Sequence, residues 1–275
     1  MKDINEFFDG ELPIKKGIGE CKECGAPYDI WEHKGRIVEI CQACNDDEMR
    51  KKYNIPTAEE HRKEKEMQRI LFFEKVSDDL KIVTVRSYNA KHETQQKAKQ
   101  EIIKFVKSFA DNKNQSLVFS GGVGLGKSHL AYAAAKAIRD QGYTALFIKT
   151  THLLEQIKKT YSGSFDFSKL DVGAAQSEEE ILKMIEGLDL LVLDDLGSEY
   201  VKSDEYGHES WASDILFRVY DSRLNKATIT TTNYSDREMQ LKYGNNGPRI
   251  IDRMIDNATG IRFEGDSFRR KKNVF

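Results

Sequence analysis

The sequence predicts an α/β fold, in which helices cover both faces of a parallel sheet, preceded by a small cysteine-rich module. Two observations predict it. Four short apolar runs alternate with helical patterns in the region 80–275, as is typical of strands that are buried on both faces. These runs are Ser116–Ser120, Ala145–Ile148, Leu190–Leu193 and Thr228–Thr230. The four cysteines all lie within the first fifty residues, in two Cys-x-x-Cys pairs.

The composition agrees with a folded protein. Charged residues make up 32% of the 275 residues and hydrophobic residues 39%, values that are typical of a globular chain. No apolar run has the length of a membrane span, and the acidic N-terminus lacks the apolar core of an export signal. We therefore expect a cytoplasmic protein without a membrane partner. The net charge of −2 excludes a generally basic surface but leaves room for a local nucleic-acid groove.

Residues 1–50 form the predicted metal-binding module. The pairs Cys21-x-x-Cys24 and Cys41-x-x-Cys44 have the spacing of a four-thiolate zinc site. With four protein ligands the metal would be structural, and its binding would supply most of the folding energy of so short a segment. The alternative is four free thiols or a redox pair. Acidic residues offset the basic ones here, which favours a protein partner over nucleic acid.

A charged helical linker is predicted over residues 51–79. Thr57 and Glu60 have the spacing of a capping box, and the mixed charges that follow are typical of a largely solvated helix. A second capping box, Ser177 and Glu180, opens the helix before the third apolar run.

A phosphate-binding loop is predicted at Gly121–Ser128, which fits the pattern G-x-x-x-x-G-K-[ST] between a strand and the helix His129–Arg139. Its glycines let successive backbone N–H groups turn toward phosphates at the positive end of the helix dipole. Lys127 would reach the β- and γ-phosphates of ATP, and the Ser128 hydroxyl would hold Mg²⁺. The predicted nucleotide contacts are Gly121, Gly122, Val123, Gly124, Leu125, Gly126, Lys127, Ser128, His129 and Arg269.

Two further strand ends complete the predicted catalytic set. A buried strand ends in Asp194 and Asp195 and would deliver both carboxylates to the carboxyl edge of the sheet. Asp194 would position Mg²⁺, and Asp195 would orient or deprotonate the attacking water. Asn233 follows a β-branched strand and would lie near the γ-phosphate as a sensor. The alternative is that Asn233 only starts a turn.

Arginines near the C-terminus are candidates for contacts with the triphosphate. Arg249 and Arg253 lie one helical turn apart, so both can occupy one helix face. A guanidinium inserted into a neighbouring subunit's site would neutralise charge in the transition state. We predict that Arg253 is this finger, with surface ion pairing as the alternative for either residue. Arg269 is a candidate for a sensor that contacts phosphate.

The order of these motifs resembles that of the DnaC/DnaI bacterial helicase loaders, which are initiator-clade AAA+ proteins. The resemblance covers about residues 80–275. Besides the phosphate-binding loop it rests on Asp194–Gly197, Thr231–Asn233, Arg249–Met254 and Asp266–Arg269. The cysteine module extends it, because DnaI-type loaders have an N-terminal zinc-binding domain that docks on the replicative helicase. The segment after Arg253 is too short for a full lid domain, which suits this family.

The resemblance implies an AAA+ P-loop ATPase whose weak activity is stimulated by DNA or a partner, with ATP or ADP, Mg²⁺ and Zn²⁺ as ligands. It implies that the protein loads a DnaB-type hexameric helicase onto single-stranded DNA and self-associates through AAA+ interfaces.

The same resemblance places the helix Thr151–Tyr161 where initiator-clade proteins carry an insertion. Lys158 and Lys159 would then meet phosphates, and Tyr161 would stack on a base. The alternative is an ordinary solvated helix with Tyr161 partly in the core. Further candidates for this groove are Ser203 and Tyr206.

Three other functions remain possible on the sequence. An IstB-type transposition helper shares the AAA+ motifs but normally lacks the four-cysteine module. A ClpX-like protein remodeller also pairs zinc with AAA+ but has a lid. A zinc-binding module with a decayed ATPase core conflicts with the intact Lys127, Ser128 and Asp194.

Overall fold

The computed structural model describes residues 12–162, 177–201 and 210–269. The chain divides into two compact units, Met1–Lys65 and Glu66–Phe275. The boundary falls inside the segment that the sequence predicts to be a linker. The candidate DNA contacts Ser203 and Tyr206 lie outside the described residues, so they stay predictions.

The first unit contains a three-stranded antiparallel sheet, followed by a helix. Its strands, in spatial order, are β1 (Ile14–Glu20), β2 (Pro27–His33) and β3 (Arg36–Glu39), and the helix is α1 (Gln42–Tyr53). Lys34 and Gly35 join β2 to β3, and both have left-handed backbones, with φ of 48° and 72°. Two left-handed residues form the tight turn whose twist matches that of the flanking strands.

Helix α2 (Ala58–Phe72) confirms the predicted helix start. The Thr57 N–H donates to Glu60 Oε2 at 2.7 Å, and the Glu60 N–H donates to Thr57 Oγ1 at 3.1 Å. The end of the segment differs from the prediction, because Ile70 and Phe73 are buried in the core of the second unit. Most of α2 is exposed, as predicted, whereas these two residues pack because apolar side chains at helical spacing give the helix a buried face.

The second unit is built on five parallel strands in the spatial order β5-β6-β7-β4-β8. The strands are β4 (Ser116–Gly121), β5 (Ala145–Lys149), β6 (Leu190–Leu196), β7 (Ala227–Thr232) and β8 (Ala258–Phe263). The four predicted apolar runs become β4 to β7. Because β7 lies between β4 and β6, the ends of these three strands are neighbours at one edge of the sheet.

Strand β8 was not predicted from the sequence. It lies at the edge of the sheet beside β4, is only partly buried and contains Gly260. A strand of this kind has neither the continuous apolar run of a central strand nor a strong alternating pattern.

Helices cover both faces of the sheet, as the fold class predicts. They are α3 (Asp78–Lys81), α4 (Glu93–Ser108), α5 (Lys127–Arg139), α6 (Thr150–Ser162), α7 (Glu178–Gly187), α8 (Trp211–Ser222), α9 (Asp236–Tyr243) and α10 (Asn246–Ile255). Alternate residues of β6 face two separate cores: Leu191 packs in the layer of α6 to α10, and Val192 packs in the layer of α4 and α5. The Glu180 N–H donates to Ser177 Oγ at 3.2 Å, so the Ser177 half of the second predicted capping box is present at the start of α7. Within the described ranges, none of the helices combines the length and the apolar character that crossing a bilayer requires.

Candidate nucleotide site

The loop between β4 and α5 adopts a backbone that depends on its glycines. Gly124 and Gly126 have φ of 80° and 86°, in the left-handed region that side chains disfavour. A Cβ atom at Gly126 would also collide with the ring of Tyr88. Gly126 is the residue that caps α5, so no side chain competes for the N–H groups of the first turn. These groups are available to an anion, as the motif predicts.

The Lys127 side chain is buried beneath this loop. Its Nζ donates three hydrogen bonds of 2.7 Å each, to the carbonyl oxygens of Gly121 and Gly122 and to Oδ1 of Asn233. Burial lowers the pKa of Lys127 to about 8, although the charges of Asp195 and Asp194 oppose the shift. The ammonium group therefore lies at the phosphate-binding loop in an environment that favours contact with an anion.

Asp194 lies at the carboxyl end of β6, and only 1% of its surface is exposed to solvent. Its Oδ1 accepts a hydrogen bond of 2.6 Å from the Thr231 hydroxyl, and Ser128 lines the same cavity near this carboxylate. Burial raises the pKa of Asp194, while the hydroxyl groups of Thr231 and Ser128 oppose the rise. A carboxylate and a hydroxyl that meet at this point are oxygen ligands of the kind that Mg²⁺ prefers, so the residues fit the metal.

Asp195 and Asn233 meet beside Lys127. Asp195 has a left-handed backbone, with φ of 60°, and its N–H donates to Thr231 Oγ1 at 2.9 Å. The Asn233 Nδ2 donates to Asp195 Oδ1 at 2.8 Å, while its Oδ1 accepts from Lys127. Asn233 thus links the loop lysine to the second carboxylate, and its role as a sensor of the γ-phosphate stays a prediction.

A cavity of about 510 Å³ opens over these side chains. It is lined by nearly all of the residues that the sequence predicts for the nucleotide: Val123–His129, Asp194, Asp195, Asn233 and Arg269. Gly121 and Gly122 contact the site through their bonds from Lys127. The Nε2 of His129 is buried without a hydrogen-bond partner in the described part of the chain. A cavity of this size, with cations and free backbone donors at one end, fits a nucleoside triphosphate.

The site residues to which no sequence signal gives a role include Tyr88 and Thr231. Tyr88 lines the cavity, and its hydroxyl donates to the Leu125 carbonyl at 3.0 Å. No motif marks it, because it reaches the loop from a segment of irregular structure before α4. Thr231 lies in a quoted motif, yet its hydroxyl contacts with both carboxylate residues become visible only once β7 is paired with β6.

Comparison with known proteins identifies the family. A family model described as IstB-like ATP binding protein matches residues 52–274, which is most of the chain. The chain belongs to this family. Its members bind and hydrolyse ATP, and the chain is accordingly an ATPase with the AAA+ P-loop fold.

Relatives of this family member include helicase loaders. The Replicative helicase loader DnaC of Buchnera aphidicola subsp. Baizongia pistaciae (strain Bp) is 28% identical over 209 residues, covering 74% of this chain and 76% of that protein. The crystal structure of the DnaC helicase loader is similar with a TM-score of 0.55 and 26% identity, covering 68% of this chain and 100% of that one. The crystal structure of DnaI has the same TM-score at 20% identity, over 70% and 94% of the two chains, and shows the shared fold. The resemblance inferred from the motifs is confirmed.

The cysteine module lies outside the part of the chain that the family model matches. Its four Sγ atoms all lie within 4.8 Å of one another, with Cys21 to Cys44 at 3.7 Å and Cys24 to Cys41 at 3.5 Å. Tetrahedral bonds of about 2.3 Å to zinc require sulfur atoms separated by roughly 3.8 Å, so the cluster fits the ion. Backbone N–H groups of Cys24 and Glu23 lower the pKa of Cys21 to about 7.

Arg249 and Arg253 are on α10 and are not among the residues that line the described cavity of their own chain. The Arg253 Nε contacts Asp221 at 3.1 Å, and its NH1 contacts Asp252 at 2.7 Å. The Arg249 guanidinium lies 3.7 Å from the ring centroid of Phe217. Both therefore have local partners, which is the alternative that the sequence left open, and the finger role of Arg253 stays a prediction.

Of the candidate DNA contacts, Lys158, Lys159 and Tyr161 all lie exposed at the end of α6. Tyr161 is 61% exposed and packs edge-on against Trp211, with ring centroids 6.2 Å apart. It is therefore not part of the core. Its contact with DNA stays a prediction.

Proposed function

We propose that the protein is an ATP-dependent loader that binds a DnaB-type replicative hexameric helicase and delivers it onto single-stranded DNA during replication initiation in the cytoplasm. The observation that carries this proposal is the 28% identity, over 74% of the chain, to a relative named for helicase loading. The proposal is supported by the cavity that Lys127, Asp194, Asp195 and Asn233 line together, where nucleotide binding would act as the switch.

The contacts of the site support a role for each residue in ATP hydrolysis. Mg²⁺ held by Ser128 and Asp194 would neutralise charge on the β- and γ-phosphate oxygens. Lys127 would exchange its bonds to the loop carbonyls for bonds to the phosphates. Asn233 positions the Asp195 carboxylate, which would orient the attacking water and accept its proton. Self-association would bring Arg253 of one subunit to the triphosphate of the next.

We also propose that Cys21, Cys24, Cys41 and Cys44 bind a structural Zn²⁺ and that this module docks on the helicase. The mutual distances of the four sulfur atoms support the ion, and the balanced charge of the module favours a protein partner. Metal analysis of the purified full chain should find one zinc ion per molecule. The Cys44→Ser variant should lose the metal while retaining ATP binding.

Helicase binding is tested by mixing the full chain with a DnaB-type hexamer and measuring the mass of the complex, with and without ATP. Loading is tested on circular single-stranded DNA, which has no end and admits a ring-shaped helicase only through an opened ring. We expect the chain to promote loading, Lys127→Ala to abolish it, and Cys44→Ser to abolish the complex itself. Absence of any complex in every nucleotide state would refute the proposal.

Lys158, Lys159 and Tyr161 are proposed to hold the single strand by phosphate contacts and base stacking. The Tyr161→Ala and Lys158→Ala variants should weaken binding to single-stranded DNA and leave ATP binding unchanged. Equal DNA affinity of these variants and the unaltered chain would remove this surface from the proposal.

A transposition helper is the second candidate function, because the matching family model is itself described by an IstB-like protein. A protein of that kind would assemble on duplex DNA and recruit a transposase. Electron microscopy of the chain with duplex DNA and ATP would reveal such filaments, and their presence without a helicase complex would favour this candidate.

A further inference from the structure

The segment Glu264–Arg269, which follows the edge strand β8, lies across the phosphate-binding loop. The Phe268 N–H donates to the Gly124 carbonyl at 2.9 Å. The Ser267 side chain occupies the space that a Cβ atom at Gly124 would need, and its Oγ accepts the Arg269 N–H at 3.2 Å. The backbone of the segment is thus attached to the loop by a bond that does not involve the Phe268 side chain.

Residues at the start of α4 hold Glu264, the first residue of this segment, by two hydrogen bonds. The Glu264 N–H donates to Thr94 Oγ1 at 2.9 Å, and the Gln95 Nε2 donates to the Glu264 carbonyl at 3.3 Å. Gly265 has a left-handed backbone with φ of 109°, and a side chain there would strike His92. The segment is therefore directed onto the loop by fixed contacts at both of its ends.

Two aromatic rings line the nucleotide cavity beside the phosphate-binding loop. Phe268 and Tyr88 both line it, with ring centroids 5.9 Å apart and an interplanar angle of 65°. Tyr88 is buried, and its hydroxyl is bonded to Leu125. Phe268 remains 37% exposed although it lies over the loop.

The phosphates of a bound nucleotide are expected beside Lys127, whose ammonium group lies at the phosphate-binding loop. Lys127, Asp195 and Asn233 form one hydrogen-bonded group there. A nucleotide whose phosphates lie between this group and the N-terminus of α5 must extend its base away from them. The aromatic surfaces that the cavity wall offers to the base include the rings of Tyr88 and Phe268 and the imidazole of His129, whose centroid is 5.6 Å from that of Tyr88.

We propose that the Phe268 side chain is the surface on which the nucleobase of the bound nucleotide stacks, and thus a residue that determines base affinity. A half-exposed ring, fixed by its own backbone bond to the phosphate-binding loop, is preorganised for this contact. Because a purine offers more stacking area than a pyrimidine, the ring favours ATP over UTP. This inference rests on the nucleotide site and is independent of helicase loading.

The test is calorimetric titration of the full chain with three magnesium complexes: ATP, UTP and tripolyphosphate. Tripolyphosphate has the phosphates but no base, so it reports on the loop alone. The Phe268→Ala variant should bind ATP about tenfold more weakly, which is the scale of a lost base–aromatic stack, and should bind tripolyphosphate as before. The ratio of ATP to UTP affinity should fall in the same variant, and Phe268→Tyr should restore it.

Phe72→Ala is the matched control, because Phe72 is similarly exposed, at 40%, and is not among the cavity residues of the described chain. Its affinities for all three ligands should equal those of the unaltered chain. An ATP affinity of Phe268→Ala within twofold of the unaltered chain would overturn the proposal. So would an equal loss of ATP and tripolyphosphate affinity, since Phe268 would then act on the loop and not on the base. If the unaltered chain bound none of the three ligands, the nucleotide site itself would be refuted.

Discussion

Asn233 holds Asp195 through a hydrogen bond of 2.8 Å from its Nδ2 to the carboxylate Oδ1. On its other side, the Asn233 Oδ1 accepts a bond of 2.7 Å from Lys127. A side-chain amide has both a donor and an acceptor, so it can accept from a cation and donate to a carboxylate at the same time. An ionised carboxylate only accepts and an ammonium group only donates, so neither could make both bonds. A single side chain therefore connects Lys127, which is predicted to contact phosphate, with Asp195, which is predicted to activate water.

The Asp195→Asn variant should bind ATP normally and hydrolyse it at least about 10²-fold more slowly, because an amide cannot accept the proton of the attacking water. Asparagine tolerates the left-handed backbone of this position, so the fold of the site should persist. Nucleotide titration and single-turnover hydrolysis measure the two effects separately. The matched control is Asp195→Glu, which keeps a carboxylate and should retain more activity than the amide. Hydrolysis by Asp195→Asn at the unaltered rate would exclude Asp195 as the base.

Nucleotide affinity should fall as the pH rises from 7 to 9. The pKa of Lys127 is lowered to about 8, so its ammonium form is the major species at pH 7 and the minor one at pH 9. Only the charged form attracts a triphosphate strongly. If the neutral form does not bind, the apparent dissociation constant should rise roughly tenfold over this interval. Because the bound triphosphate raises the lysine pKa again, binding near pH 8.5 should take up a proton, which calorimetry in buffers of different ionisation enthalpy detects.

Lys127→Arg supplies the control for this pH effect, because a guanidinium stays charged throughout the interval. Its affinity, though weaker, should not depend on pH between 7 and 9. Lys127→Ala should lose nucleotide binding at every pH. An unaltered chain whose affinity is constant over the interval would contradict the lowered pKa.

The phosphate-binding loop, the carboxylates and Asn233 could be predicted because each follows a short buried run at a fixed spacing. Spacing in the sequence is enough there, since parallel strands bring their carboxyl ends to one edge. Tyr88 and Phe268 could not be predicted in this way. Tyr88 comes 36 residues before Gly124, and Phe268 comes 144 residues after it. Only the pairing of β4 with β8 brings Phe268 near the loop.

The linker shows a different limit of sequence analysis. Its dense charges indicate solvent exposure, and this holds for most of α2. Ile70 and Phe73 nevertheless enter the core, and Glu74 forms an ion pair of 2.6 Å with Arg139 on α5. Average composition does not reveal which few residues of a charged helix pack, because a narrow apolar face is sufficient for docking.

Thr231 supports both carboxylate residues, so its loss should affect the metal as well as the fold. The Thr231→Val variant keeps the shape of the side chain but removes the hydroxyl that bonds Asp194 Oδ1 and the Asp195 N–H. Leaving these buried groups without a partner should cost about 1–3 kcal/mol in the free energy of unfolding. It should also raise the Mg²⁺ concentration that gives half-maximal ATP hydrolysis, since Asp194 is less well oriented.

Thr228→Val is the control for this prediction. Thr228 is also buried on β7, but it lies at the opposite end of the strand, where its hydroxyl accepts a long bond of 3.5 Å from Arg223. The control should destabilise the fold without changing the Mg²⁺ requirement. An unchanged Mg²⁺ requirement in Thr231→Val would limit Thr231 to a role in stability.

The Arg253→Ala variant should bind ATP like the unaltered chain and lose hydrolysis by about 10³-fold or more, if the guanidinium acts on the triphosphate of a neighbouring subunit. Arg253 is held by Asp221 on α8, an exposed pair of the kind that contributes little to stability. Releasing it therefore costs little when a neighbour's triphosphate offers a stronger partner. Arg249 differs, because its guanidinium is stacked on Phe217.

Mixing two inactive variants tests whether Arg253 acts on the nucleotide of a neighbouring subunit or within its own subunit. An Arg253→Ala subunit retains Asp195, and an Asp195→Asn subunit retains Arg253. In a mixed assembly, an interface at which the intact Arg253 meets the intact Asp195 regains a complete site, and part of the activity should return. Arg249→Ala should remain active throughout, since its stacked position keeps it from reaching a neighbour. If mixing restores no activity, Arg253 serves only its local ion pairs, because an arginine that acts on a neighbouring subunit must complement the Asp195→Asn variant.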